Sequence, residues 1–466
     1  MQSMSIWEPT QLPAQGRSAD HIAHAWPRTN IAAVANPYQP FSTRLPGMGP
    51  RTSSGHMIHD TRSWNEMGKP VLPSVEAYRR KAQIGCIPSA ARKRTAMTPT
   101  RIILLGAHHP HFYVRVGVLE ARKDIDIIGF WEQDVVLAAK IEKRLRIPRF
   151  QSEHDLVSAD FDVAFVHPLD HDNPRLALLA ASNGAKGLLL EKPGATHPGH
   201  LFKLVKQLER WPDLVVEWGW EMHYAETMDF VRDLVRRNAL GQITTSHWHG
   251  GTPSGGAMET WQRQKNTLGG FLYMDASHTL EAILDVFGLP QYVAASIRKL
   301  PKGEQHPIVS CWYDMHTEEL DPTTTEFTVG DLRYEDIGSV ILEYETHNVV
   351  ADLTAWEPTD WCEDWGIDIY GTNGAFHGVL NPPRGEVTLR SSKAGYAQGV
   401  TKMPTERPQG VSNQLGYYTR QIDLFLQRVN GGVMIDCAGA DNQVKLMKVL
   451  DGIYKSAKER RFVDIL

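Results

Sequence analysis

Short apolar runs alternate with longer segments of helical periodicity from residue 98 onward. The short runs are rich in leucine and β-branched residues, which favours buried strands, whereas the longer segments have the spacing of amphipathic helices. Because crossover helices of this kind join parallel strands, the pattern predicts a doubly wound parallel sheet. The predicted strands are residues 101–106, 125–131, 161–166 and 187–190, and the predicted helices are 114–121, 135–144 and 175–183.

The second half of the chain mixes strands and helices less regularly. Asn238 and Gly241 follow its first helix as stop signals. We therefore expect a dinucleotide-binding domain at 98–217 and a second α/β domain at 218–466. The predicted strands here are 214–220, 242–249 and 462–465, and the predicted helices are 226–237, 274–287, 414–428 and 441–458.

The first part of the chain, residues 1–97, has a different composition. Proline, serine, glycine, histidine and arginine are scattered there without helical or strand periodicity. Such a segment buries too little apolar surface to offset the entropy of ordering. We expect a disordered or irregular extension.

Composition excludes several classes of partner. A formal net charge of -5 gives no field that attracts nucleic acid or an anionic membrane, and no apolar run approaches the thickness of a bilayer. The four cysteines are far apart and form no Cys-x-x-Cys pair, which argues against a zinc ribbon and a disulfide scaffold. A reducing, cytoplasmic compartment is expected.

The first turn between strand and helix is the expected cradle for a pyrophosphate. Of the Gly-x-Gly-x-x-Gly pattern it keeps Gly106, while His108, His109 and His111 stand in the rest of the turn. Backbone amides at the start of a helix still attract anions, so we expect these four residues to contact a dinucleotide. Glu132, at the end of the second strand, is placed to bind an adenosine ribose and favours NAD over NADP.

The same histidines suggest an alternative, a metal site. The chain lacks a helical His-Glu-x-x-His motif and a recognisable carboxylate pair beside the cluster. We therefore expect no metal, and we interpret the imidazoles as lining the cofactor cleft or capping the next helix.

A Glu-Lys-Pro tripeptide follows the fourth predicted strand. Lys192 stands between Glu191 and Pro193, directly after the apolar run 187–190. Ligands of an open α/β sheet bind beyond the carboxyl ends of its strands, so the sequence predicts that this lysine faces substrate.

A second candidate, His278, lies in the predicted helix 274–287. It follows a Gly269-Gly270 pair, and helical spacing places it on one face with Met274 and Glu281. A helical histidine alone is more often a core residue, but its position after the lysine motif indicates a function.

In this order the motifs resemble the Gfo/Idh/MocA family of sugar and polyol oxidoreductases. The resemblance covers about residues 98–466 and rests on Glu191-Lys192-Pro193, on Gly269-Gly270 followed by His278, on Trp261-Gln262-Arg263, on the strand and turn 367–374, and on the closing helices.

The resemblance implies a Rossmann domain followed by an α/β domain with a large, open, mostly antiparallel sheet. It also implies a homo-oligomer, a dimer or tetramer, that packs through that sheet. By match to the family, Lys192 contacts the reacting hydroxyl and the nicotinamide, and His278 takes the hydroxyl proton. Pro168 and Glu191 fall at cofactor positions, and Pro193 is expected to follow a cis peptide bond.

The chain departs from the family near the substrate. The aspartate usual four residues before the histidine is Met274, with Asp275 beside it, and His223 stands where arginine is frequent. On an ideal helix Asp275 points about 100° away, so it replaces the lost carboxylate only if the turn is non-helical. His223, Trp261, Asp275 and His278 are the candidate substrate contacts.

We expect an NAD-dependent oxidoreductase that acts on a CH–OH group of a sugar, polyol or related hydroxylated small molecule. The alternative is a protein of the same descent that has lost hydride transfer and binds a ligand or regulates a partner. The altered glycine turn and Met274 favour that alternative.

Overall fold

The computed structural model describes eleven stretches of the chain. They are residues 99–109, 111–251, 270–303, 305–314, 319–328, 330, 334–356, 365–380, 383–404, 412–432 and 437–465. The predicted extension 1–97 and the candidate Trp261 lie outside them. Among the helices of these stretches, none is both long enough and apolar enough to span a bilayer.

The first sheet has five parallel strands in the order β2-β1-β3-β4-β5. The residues of β3 and β4 are buried throughout, which explains their unbroken apolar sequences. The doubly wound parallel sheet predicted from the alternating pattern is confirmed. Its strands are β1 Thr100–Leu105, β2 Ile125–Trp131, β3 Val163–Val166, β4 Gly187–Leu190 and β5 Val215–Trp218.

Crossover helices cover this sheet. Asp134 caps one of them by accepting from the backbone amides of Val136 and Leu137 at 2.8 and 3.1 Å. One short helix and one longer helix, 153–157 and 198–208, were not anticipated from the sequence pattern. The helices are α1 His111–Glu120, α2 Val135–Leu145, α3 Glu153–Val157, α4 Asn173–Ser182 and α5 Pro198–Leu208.

The second sheet has nine strands in the order β15-β14-β13-β12-β6-β11-β10-β7-β16. Its pairs are antiparallel except for β6 with β11, which confirms the large, mostly antiparallel sheet. A separate hairpin is formed by β8 and β9. The strands are β6 Ile243–Gly251, β7 Tyr292–Arg298, β8 Gln305–Asp314, β9 Glu319–Thr328, β10 Ile337–Glu343, β11 Asn348–Thr354, β12 Gly366–Gly371, β13 Gly374–Val379, β14 Arg384–Leu389, β15 Gly399–Lys402 and β16 Val463–Asp464.

The remaining helices connect and cover the sheets. The predicted helix 274–287 is interrupted at Asp275 (φ −111°, ψ −52°), whose carbonyl accepts from the amide of His278, three residues later and not four. The helices are α6 Glu226–Arg236, α7 Phe271–Met274, α8 Ala276–Phe287, α9 Ser412–Val429 and α10 Ala440–Glu459, and a 3-10 turn spans Glu221–Tyr224.

The late helix α9 packs against the first sheet although it follows the second in sequence. Ile422 and Phe425 are fully buried in the same apolar cluster as Ile102, Phe165 and Leu189. One face of the parallel sheet is therefore covered partly by α9, which begins about 200 positions after the last strand of that sheet.

Candidate active site

The carboxyl ends of β1, β3 and β4 meet at one edge of the parallel sheet. Gly106 follows β1, His167 follows β3, and Glu191 and Lys192 follow β4. Gly106 has φ +77°, and a Cβ at this position would lie 2.6 Å from the backbone nitrogen of Pro168. Glycine is therefore required for both backbone conformation and close approach, as the retained first glycine indicated.

Lys192 is buried, with 2% of its surface exposed. Its Nζ donates to the carbonyl oxygen of Met274 at 2.6 Å and lies 3.5 Å from Oδ1 of Asp275. Burial lowers the pKa of the lysine, but the carboxylates of Asp275, Glu191 and Glu221 outweigh that effect and raise it. The side chain is a cation held between the two halves of the fold. The Lys192-Pro193 peptide bond is cis, as the resemblance implies.

The helix interruption brings Asp275 to Lys192. Because α7 ends at Met274 and α8 begins at Ala276, the carbonyl of Met274 and the carboxylate of Asp275 both reach the same ammonium group. The locally non-helical turn required by the sequence argument is present, and Asp275 pairs with the lysine.

His278 is the second buried member of the site, with 3% exposure. Its ring packs between Trp220 and Trp365, with centroid distances of 5.0 and 5.2 Å. Burial, and then the positive charge of Lys192, lower its pKa well below the usual range for histidine. The imidazole is neutral and able to accept a proton.

Glu191 is the centre of a buried hydrogen-bonded network. It pairs with the guanidinium of Arg115, and Nδ1 of His111 and Nε2 of His109 lie 3.0 and 3.4 Å from its Oε1. Burial raises its pKa, but His109, Arg115, His167 and Lys192 together outweigh this and lower the pKa overall. The carboxylate is therefore ionised and holds the turn after β1 against the end of β4.

The histidine cluster has spacing that a metal ion accepts, since His109, His111 and Glu191 bring ligand atoms within 4.8 Å of one another. However, Nδ1 of His109 accepts from the backbone amide of His111 at 3.2 Å, which places the imidazole proton on Nε2, toward Glu191. Arg115 and Lys192 add two cations beside the same carboxylate. These features favour hydrogen bonding over metal ligation. By accepting from the amide of His111, His109 also caps α1, one of the two roles expected for these imidazoles.

A cavity of about 440 Å³ opens at the same sheet edge, beyond the ends of β1, β2 and β3. Glu132 lies in its wall and accepts from the backbone amides of Ala107 and Asp134 at 2.7 and 2.8 Å. His108 joins this wall, with Nδ1 3.2 Å from Glu132; hydrogen bonding to that carboxylate raises the pKa of His108. The lining residues are Gly106, His108, Trp131, Glu132, Gln133, Asp134, Pro168, Leu169, His171 and Asp172.

The cavity fits the adenosine end of a dinucleotide. Oε2 of Glu132 retains a lone pair for a ribose hydroxyl after accepting from the amide of Ala107, whereas Oε1 contacts both Asp134 and His108. Asp134 adds a second acid, so a 2′-phosphate would meet like charge. The backbone amides of His108 and His109 donate hydrogen bonds to the carbonyl oxygen of His167, at 3.1 and 3.4 Å.

The structure does not bring every candidate to this centre. His223 is buried in the 3-10 turn 221–224, and its Nδ1 lies 2.8 Å from Glu281 and 3.9 Å from Asp285 of α8. That environment raises the pKa of His223, because the two carboxylates outweigh the effect of burial. Its proposed substrate contact stays a prediction, as does that of Trp261.

Two residues of the centre were missed from the sequence, Arg115 and Glu221. Arg115 lies one turn after His111 on α1, and this spacing was an available signal. Glu221 has no comparable signal. It belongs to the turn after β5, and Oε1 lies 3.7 Å from Nε2 of His278 only because the chain folds back there.

A sequence model of the C-terminal alpha/beta domain of the Gfo/Idh/MocA oxidoreductase family matches residues 232–465, half of the chain. Comparison with curated protein sequences gave no significant match.

Solved structures share the fold. An oxidoreductase from Agrobacterium radiobacter, in complex with NAD+, L-tartaric acid and magnesium, gives a TM-score of 0.63 at 15% identity, over 79% of this chain and 99% of that chain. Levoglucosan dehydrogenase, in complex with NADH and L-sorbose, gives 0.63 at 15% identity, over 79% and 100%.

GenD2 from gentamicin A biosynthesis, in complex with NAD, gives a TM-score of 0.62 at 20% identity, over 81% of this chain and 99% of that chain. At these identities the structural comparison shows the architecture alone. Together with the family model that spans half of the sequence, the site after β4 establishes that the chain belongs to the Gfo/Idh/MocA oxidoreductase family.

Proposed function

We propose that the protein is an NAD-dependent oxidoreductase that transfers a hydride between the nicotinamide and a CH–OH group of a sugar, polyol or related hydroxylated molecule. The observation that carries the proposal is a buried site in which Lys192, bonded to Met274 and Asp275, lies near the ring of His278. Lys192 is held as a cation and His278 as a neutral base.

These two states are those that alcohol oxidation requires. Nζ of Lys192 uses two contacts on Met274 and Asp275, so a third N–H remains to donate to the substrate oxygen. The cation stabilises negative charge as the hydroxyl proton leaves, and neutral His278 accepts that proton. When bound, NAD accepts the hydride from the carbinol carbon.

The rest of the site supports orientation and exclusion of water. Trp220 is held by a 2.7 Å hydrogen bond from Nε1 to Gln443, and the same glutamine donates to the carbonyl of Pro193. The indoles of Trp220 and Trp365 are each 1% exposed, so they pack against His278 and keep water from its ring. Glu132, Gly106, His108 and Pro168 would hold the cofactor through the adjoining cavity.

The structural relatives support the substrate class by analogy. Those solved with L-tartaric acid and L-sorbose bind hydroxylated small molecules, and both were solved with a nicotinamide cofactor. The substrate of this chain depends on side chains at its own site.

We also propose a homo-oligomer that packs through the second sheet. In β10, Val340 and Leu342 are buried while Ile341 between them is 38% exposed, and Tyr370 of β12 is 37% exposed. An open sheet face with such residues favours association with another copy. Light scattering coupled to size-exclusion chromatography tests this, and a monomer at all concentrations would contradict it.

Titration with NADH tests the main proposal. The thirteen tryptophans serve as energy donors to the bound nicotinamide, so binding quenches their emission. We expect saturation in the micromolar range, followed by NAD+ reduction at 340 nm with a panel of sugars, polyols and hydroxy acids. Absence of NADH binding at millimolar concentration would favour the non-catalytic alternative. That alternative is also favoured by the altered turn, where the amides of His108 and His109 donate to the carbonyl of His167.

A further inference from the structure

His278 lacks the carboxylate partner that the family places on its own helix. The position four residues before it is Met274, and Asp275 is engaged with Lys192 instead. Within the described part of the chain, the carboxylate at ion-pair distance from the His278 ring is Glu221, whose Oε1 lies 3.7 Å from Nε2. It comes from a different element, the turn that follows β5.

We propose that Glu221 is the positioning residue for His278: its carboxylate accepts from Nε2–H of the imidazole and thereby leaves the lone pair on Nδ1 to receive the substrate proton. The inference rests on the proposed function and adds to it the residue that sets the tautomer of the base.

Two unpartnered buried atoms support this assignment. Oε2 of Glu221 and Nδ1 of His278 are both inaccessible, and neither has a hydrogen-bond partner among the described residues. Glu221 is 4% exposed, and its neighbour Trp220 packs edge-on against the His278 ring. A buried carboxylate beside an imidazole nitrogen orients the ring, and contacts of 3.7 Å shorten when substrate closes such a site.

The proposed step balances. The hydroxyl proton moves to Nδ1 of His278. The hydride leaves the carbon that carries this hydroxyl and goes to NAD, and the C–O bond becomes a carbonyl. The negative charge of Glu221 stabilises the imidazolium formed in this step. Catalytic triads pair a histidine base with an orienting carboxylate in the same way. Without that charge the protonated imidazole stands next to Lys192 unpaired.

Burial raises the pKa of Glu221 to about 7, while the cations of Lys192 and Arg115 lower it and Glu191 raises it. Nε2 of His111 also faces it, at 3.9 Å. Below this pKa the carboxyl group is neutral and no longer offsets the imidazolium. The rate of alcohol oxidation should therefore fall as pH decreases through about 7.

Kinetics of Glu221→Gln test the role directly. We expect kcat to fall by about 10²-fold with KM nearly unchanged, and the inflection near pH 7 to disappear; Glu221→Asp should recover part of the rate. Glu217→Gln is the matched control. This carboxylate is buried on β5 and bonded to Tyr224, so its loss should lower stability but keep the inflection. An inflection that persists in Glu221→Gln would overturn the proposal.

A double-mutant cycle shows whether Glu221 acts through the base. In a His278→Gln background, adding Glu221→Gln should change kcat by less than about threefold, because neighbouring groups that act as a unit are not additive. A full additional loss of about 10²-fold would mean that Glu221 acts independently of His278.

A measurement without turnover separates this inference from the proposed function. In long-range ¹⁵N spectra of histidine-labelled protein at pH 8.5, the His278 resonance is identified as the one missing from the His278→Gln variant. This resonance should show the Nε2–H tautomer. Glu221→Met, which fills similar volume without an acceptor, should abolish that preference, with folding checked by circular dichroism. An Nδ1–H tautomer in the wild type would overturn the proposed pairing of Glu221 with His278. Failure to bind NADH would overturn only the proposed oxidoreductase function.

Discussion

At the scale of single residues, the centre works by setting protonation states through burial and charge. Lys192 and His278 are both buried, yet carboxylates near the lysine, chiefly Asp275, outweigh burial and raise its pKa, whereas burial, and then the charge of Lys192, lower the pKa of the histidine. Neighbouring charge therefore decides between two side chains that burial alone would both neutralise.

Substitution of Lys192 by methionine should separate chemistry from cofactor binding. We expect kcat/KM to fall by at least about 10³-fold, since the cation on the substrate oxygen is lost, while the Kd for NADH changes less than about threefold. Lys186→Met, at the other end of β4 and exposed, is the matched control. Equal losses of NADH affinity and rate would contradict the assigned role.

At the level of secondary structure, two parts of the site depend on departures from regular elements. Gly106 ends β1 with positive φ, and Asp275 interrupts the helix between α7 and α8. Regular elements repeat their side-chain directions, so convergence of groups from several elements requires such irregular positions.

Alanine at Gly106 should destabilise the turn through two effects. The left-handed backbone costs about 1–2 kcal/mol for a residue with Cβ, and the close approach of Pro168 adds to this. Gly184→Ala is the control, because Gly184 also has positive φ (+92°) but its Cβ would meet nothing within 4 Å. Urea unfolding should show a larger loss for Gly106→Ala, accompanied by weaker NADH binding. Equal losses would mean that the approach to Pro168 is unimportant.

At the scale of the whole molecule, α9 connects the two sheets by completing the core of the first. Phe425 and Ile422 fill the face of the parallel sheet that β1, β3 and β4 leave apolar. A helix from the end of the chain is thus part of the core of the parallel sheet.

Removal of one side chain from this contact should destabilise the first sheet strongly. Phe425→Ala is expected to cost about 3–5 kcal/mol of unfolding free energy, because a fully buried aromatic ring leaves a cavity. Val400→Ala, at a residue 62% exposed, should change it by less than about 0.5 kcal/mol. Urea denaturation followed by tryptophan fluorescence measures both. A small effect of Phe425→Ala would mean that α9 is dispensable for the sheet.

How much was predictable follows from the range of the interactions involved. The strands β2 and β4 were predicted with the bounds that the structure shows, because apolar runs with clear breaks report local burial. The helix 198–208 was missed although it has local signals, the capping side chain of His197 and Pro198 in its first turn. The interruption at Asp275 was recognised only as a condition, since it involves contact with the distant Lys192.

The class of fold, the lysine at a strand end and the retained glycine of the first turn could be predicted from the sequence, because periodicity and turn residues are local properties of a chain. The pairing of Asp275 with Lys192, of Arg115 with Glu191 and of Glu221 with His278 became evident from the folded structure. These contacts join residues 57 to 83 positions apart, and their charges acquire their protonation states only when burial removes water.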